Sequence, residues 1–75
     1  MSTKELGNEA FKNKNYPQAV AYFTQAIAEA PGDHTIYGNR SAAYYNMHNF
    51  NEALADGDKC IQLKPDWGRG YQRKA

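Results

Sequence analysis

Five side chains in this 75-residue sequence share one kind of chemistry. Lys4 and Asn8 stand four apart near one end, Asn39 lies mid-chain, and Arg69 and Arg73 stand four apart near the other end. All of them donate hydrogen bonds, and the three cations have no acceptor to offer. At four-residue spacing, each pair shares a helical face. Such a set of donors suits a carboxylate, to which fixed charge-assisted bonds contribute about 1.5 to 3 kcal/mol each.

Other chemistry is sparse. His34 and His48 are fourteen apart beside predicted turns. With only Cys60 as a third soft ligand, they do not match the spacing of a metal site and read as turn histidines. Gly68 and Gly70 lack the Lys-Ser/Thr ending of a phosphate loop, and no Ser, His and acid group suggests a nucleophilic triad. The expectation is a protein that is not an enzyme and uses no metal or cofactor. Tyr37, Tyr44, Tyr45 and Tyr71 could be read as a base-stacking platform. Nine Lys and Arg against eight Asp and Glu leave a formal charge of only +1, which argues against a phosphate backbone or an anionic membrane as partner. Charge-based recognition must therefore be local. A single cysteine cannot form an internal disulfide, the start of the chain has no basic-then-apolar leader, and no apolar run approaches membrane-spanning length. A reducing, cytoplasmic setting is expected.

The elements that must position the five donors emerge when the chain is slid against itself by 34 residues. Tyr16 then falls on Phe50, Ala19 on Ala53, Ala26 on Cys60, Pro31 on Pro65, Tyr37 on Tyr71, and Gly7 on Ser41 and then Ala75. A fixed period of this size marks a helical repeat. Ser2 to Glu5 has capping-box spacing, so a first helix is predicted from Thr3 to about Lys14, with Leu6, Ala10 and Phe11 on its apolar side. Asn15 is the expected cap of a second helix that tolerates Pro17 in its first turn and buries Val20, Phe23, Ala26 and Ile27, ending at Pro31-Gly32. The plan repeats with helices from about Thr35 to Met47 and from about Phe50 to Leu63. From Trp67 onward a third first-helix is predicted to begin.

Gly7, Ala19, Ala26, Ser41, Ala53 and Cys60 are placed where facing helices approach closely, with Tyr16, Phe23, Tyr37, Tyr44 and Phe50 filling the gaps. The pattern resembles the tetratricopeptide repeat, carried by Leu6-Gly7, Ala10, Tyr16, Ala19, Phe23, Ala26 and Pro31. It departs in the second period, where Arg40-Ser41 replaces Leu-Gly and Gly57 replaces an aromatic. Gly57 is expected to loosen the second pair. The fold implied is all-α, a right-handed superhelix of stacked antiparallel helix pairs within one domain: repeat 1 over about 1–33, repeat 2 over 34–67, and the start of repeat 3 over 68–75. The third repeat reaches only its first helix by Ala75, so the array is expected to continue in a longer protein. Its uncovered apolar side is expected to favour self-association between copies.

In stacked helix pairs the first helices line one concave groove, and the five donors form a ladder across it. The stretches "KELGNEAF", "YGNRSAAY" and "PDWGRGYQRKA" are similar to the carboxylate-clamp class of this family, and within it to the first repeat domains of the chaperone-organising Hop co-chaperones. The resemblance implies that Lys4, Asn8, Asn39, Arg69 and Arg73 grip the C-terminal carboxylate and Asp side chain of a Glu-Glu-Val-Asp tail. It also implies that Phe11 and Ala42 offer apolar surface to that tail. The implied partner is the C-terminal peptide of a heat-shock 70 or heat-shock 90 chaperone, the function that of a co-chaperone adaptor; the alternative is a repeat scaffold that self-associates or binds another protein without a clamp. Two departures bear on selectivity: Arg69 stands where the class usually has Lys, and Asn46 stands where Hop has a Lys. Glu5, one period before Asn39, is positioned to bring a carboxylate near the groove.

Overall fold

The structure is a computed structural model that describes residues 1–63. The described residues form four helices and no strand: α1 (Thr3–Lys12), α2 (Tyr16–Glu29), α3 (His34–Asn46) and α4 (Phe50–Gln62). The third first-helix expected from Trp67, with Arg69 and Arg73, lies outside the described residues.

Local sequence explains each boundary. Ser2 accepts from the Glu5 amide at 3.1 Å while the Glu5 carboxylate accepts from the Ser2 amide at 2.7 Å, closing the capping box that starts α1. The helix stops at Lys12, before the expected Lys14, because Lys14 takes a left-handed conformation with φ of 63°. There the Asn15 amide bonds the Ala10 carbonyl and the Lys14 amide bonds the Phe11 carbonyl, the paired bonds of a Schellman ending. One period later His48 repeats the conformation with φ of 65°, the Asn49 amide bonding the Tyr44 carbonyl. Asn15 precedes α2 as expected, but its side chain donates to Gln18 instead of accepting a cap bond. Asp33 caps α3 by accepting from the Thr35 amide at 3.0 Å.

Three-residue turns fold α1 against α2 and α3 against α4 as antiparallel hairpins. These pairs make the most extensive contacts, α2 joins the hairpins by packing on α3, and α1 touches α3 along one edge. The core is Ala10, Ala19, Phe23, Ala26, Ile36 and Ala43, flanked by half-buried Phe11, Tyr16, Val20, Tyr22 and Ile27. Close approach of α1 to α2 depends on Gly7: a β-carbon there would lie 2.5 Å from two ring carbons of Phe23, whose side chain is fully buried.

The second hairpin is built differently. One period after Gly7 and Phe23 stand Ser41 and Gly57, two small residues where repeat 1 has a small and a large one. Ser41 donates to the Ala53 carbonyl at 2.6 Å, and a cleft of about 710 Å³ opens along α3 and α4 over Ser41, Gly57, Tyr45, Phe50, Leu54 and Ile61. Phe50 does not fill a gap between helices as the period suggested. It is 52% exposed, because no described residue covers this cleft, and it packs edge-on against Tyr45 with ring centroids 5.3 Å apart. Tyr37 and Tyr44 are half-buried and flank the Arg40 guanidinium, 5.7 Å from each ring centroid. Cys60 is half-buried, with its sulfur facing Gly38.

Candidate functional site

The first helices of the two hairpins meet along the edge where α1 touches α3. Asn8 on α1 and Asn39 on α3 face each other there, Asn39 Nδ2 donating to Asn8 Oδ1 at 3.0 Å. Beneath them is a pocket of about 160 Å³ lined by Asn8, Phe11, Phe23, Asn39 and Ala42. Four of the expected site residues, Asn8, Phe11, Asn39 and Ala42, are therefore brought together. Phe23 was assigned to the core by its spacing and also forms part of this pocket wall. The floor is apolar and the rim carries amides, which suits a small apolar side chain beneath a hydrogen-bonded main chain or carboxylate.

Lys4 lies one turn from Asn8 on α1, and the periodicity did not reveal its surroundings. Its ammonium donates to Asp33 Oδ2 at 3.1 Å and to Thr35 Oγ1 at 2.6 Å. Thr35 in turn donates its hydroxyl to Asp33 Oδ1 at 2.6 Å. The Thr35 hydroxyl, against the cost of burial and with help from Lys4, holds the Asp33 carboxyl below its ordinary range. Glu5, expected to bring a carboxylate near the groove, instead belongs to the capping box, where the Ser2 amide keeps its pKa low. The carboxylate bonded to a candidate site residue is Asp33. The spacing did not single out Asp33, because its contact with Lys4 crosses 29 residues. Asn46 is exposed and donates to the Ala42 carbonyl of its own helix.

A second polar cluster supports α3 from behind. Arg40 donates through Nε and an Nη to the two oxygens of Asp56 at 2.7 and 2.8 Å, and through its other Nη to Thr24 Oγ1 at 3.0 Å. It thereby ties α2, α3 and α4 together. Asp56 is buried, and its carboxylate raises the Arg40 pKa further against the opposing cost of desolvation. A sequence signal for the pair exists: Arg40 and Asp56 stand one period after Leu6 and Tyr22, so both apolar members of a pair sixteen apart become opposite charges together.

Among the described residues no group of three or more His, Cys, Asp or Glu side chains could hold a metal ion. None of the described helices is long and apolar enough to cross a membrane.

The tetratricopeptide repeat family pattern matches residues 10–55. An Hsp70-Hsp90 organizing protein of Triticum aestivum is 47% identical over 70 residues, covering 93% of this chain and 12% of that protein. An Hsp70-Hsp90 organising protein of Plasmodium falciparum is 48% identical over 71 residues, 95% of this chain and 28% of that protein. Hsp70-Hsp90 organizing protein 3 of Arabidopsis thaliana is 49% identical over 71 residues, 95% of this chain and 13% of that protein. The chain thus spans between 12% and 28% of the length of these relatives. Matched by the family pattern over more than half its length, and folded as helix hairpins that repeat at 34 residues, the chain belongs to the tetratricopeptide repeat family.

Proposed function

We propose that this chain is a peptide-binding adaptor module of a cytoplasmic co-chaperone, and that it grips the acidic C-terminal tail of a heat-shock 70 or heat-shock 90 chaperone through a carboxylate clamp. The observation that carries the reading is the pairing of Asn8 with Asn39 above the pocket of Phe11 and Ala42. Amides from two different helices meet there over an apolar floor, one turn from a cation. In this reading Lys4, Asn8 and Asn39 receive the carboxylates, Arg69 and Arg73 supply the remaining cations, and Phe11 and Ala42 contact the tail's apolar side chains. The names of the relatives, which speak of organizing Hsp70 and Hsp90, support the choice of partner. The clamp has no catalytic step; recognition rests on charge-assisted hydrogen bonds.

A fluorescent peptide ending in Glu-Glu-Val-Asp, titrated beside the same peptide with an amidated C-terminus, tests the proposal. The free acid is expected to bind and the amide to bind at least about tenfold more weakly, since one charge-assisted bond contributes about 1.5 to 3 kcal/mol. Lys4→Ala should weaken the free acid selectively. Equal binding of acid and amide refutes the clamp. A second reading, a scaffold that self-associates or binds another protein surface, is favoured by the open cleft bearing Tyr45, Phe50, Leu54 and Ile61. A mass that rises with concentration in analytical ultracentrifugation would support it, and a constant monomer mass would remove the self-associating form.

A further inference from the structure

We infer that Asp33 competes internally for Lys4, so that the chain carries its own brake on acidic-peptide binding; this rests on the clamp reading above. An ammonium has three donors, and Asp33 and Thr35 take two of those on Lys4. The Asp33 carboxylate is tethered in place. Its Oδ1 accepts from both the amide and the hydroxyl of Thr35 as the cap of α3, while its Oδ2 faces Lys4. An arriving carboxylate therefore meets a partly neutralised ammonium with a fixed negative charge 3.1 Å away. Lys4 remains reachable, its side chain being 36% exposed. Among the described residues, Glu5 bonds Ser2, and Glu29 accepts from Thr3 and Gln25. Among the described residues, the carboxylate in ion-pair contact with Lys4 is that of Asp33. A tail that offers a carboxylate must share or displace this contact, and a partner with a single weak acid is penalised more than one whose several carboxylates engage the other donors together.

Asp33→Asn separates charge from capping, because Asn keeps a side-chain carbonyl for the Thr35 amide and is an equally good helix cap. In the full chain this variant is expected to bind the free-acid Glu-Glu-Val-Asp peptide about three- to tenfold more tightly at low salt, the scale of one partly exposed charge. The gain should shrink near 0.5 M salt, where the screening length falls to roughly 4 Å. It should also vanish in a Lys4→Ala background and be much smaller with the amidated peptide. Equal or weaker binding by Asp33→Asn, in a chain that still prefers acid to amide, overturns the inference and leaves the clamp standing. A gain that survives Lys4→Ala, or that is equal for the amide, reports net charge alone and also overturns it. If neither the unchanged chain nor the variant distinguishes acid from amide, the clamp and the brake fall together.

Discussion

Two chemically identical substitutions, Gly7→Ala and Gly57→Ala, should have opposite effects on stability. Each removes a helical glycine, which by propensity alone stabilises by about 0.8 to 1 kcal/mol. At Gly57 the new methyl would meet Ser41 Oγ at 3.7 Å, an ordinary contact beside an open cleft, so the gain should be realised. At Gly7 it would lie 2.5 Å from two carbons of the Phe23 ring and 3.1 Å from a third, inside the 3.4 Å where ordinary contact begins. Phe23 is 0% exposed and belongs to the buried core, so its ring must shift within the packed interior to accept the methyl. Overpacking of this kind costs about 1 to 3 kcal/mol, so Gly7→Ala should be net destabilising by up to about 2 kcal/mol. Urea unfolding followed by circular dichroism measures both. For a chain of this size each kcal/mol corresponds to a shift in Tm of about 4 to 8 °C. Adding Phe23→Leu to Gly7→Ala should recover part of the loss by vacating the ring position. Phe23 also lines the pocket beneath Asn8 and Asn39, so the steric shift should weaken peptide binding as well. Equal stability changes at the two glycines would exclude a steric penalty at Gly7, since the helix propensity is common to both and only the contact differs.

The charged cluster and the acid limb of stability follow from the same geometry. Asp56→Asn breaks a pair whose side chains are only 8% and 18% exposed, and should cost about 3 kcal/mol by leaving Arg40 poorly compensated. The double change Arg40→Leu with Asp56→Tyr transplants the residues of repeat 1 and should recover most of that loss; a double variant as unstable as Asp56→Asn would count against the pairing. For Asp33 the folded pKa is depressed, first by the Thr35 hydroxyl and then by Lys4. Its contribution is therefore fully present above the ordinary value of 3.8 and is lost as pH falls through the lower folded value. Urea midpoints at neutral pH and near pH 3 should drop less for Asp33→Asn than for the unchanged chain. An identical drop would show that the contact does not contribute.

The 34-residue period was sufficient to place the hairpins, because it records where small residues, aromatics and breakers recur along each helix, and those are local properties of spacing. The boundaries shifted by a residue or two where a left-handed turn residue, Lys14, replaced helix with a Schellman ending, a choice made by backbone bonding and not by hydropathy. Of the five donors, one pair was legible in this way: spacing near one period put Asn8 and Asn39 on facing edges, and the fold brings them to 3.0 Å, while Arg69 and Arg73 lie outside the described residues.

What the amino-acid sequence alone determined is the set of faces: which side of each helix is apolar, where each helix can begin, and which donors share a face. Tertiary packing decided what those donors meet. Lys4 finds Asp33 because the α2–α3 turn carries a helix cap across 29 residues to the side of α1. Arg40 finds Asp56 because α4 folds back along α3. Phe50 stays half exposed because no described residue covers the cleft along α3 and α4. Periodicity is a property of one helix, whereas counter-charge and cavity volume depend on side chains that only the folded chain brings within a few ångströms of each other.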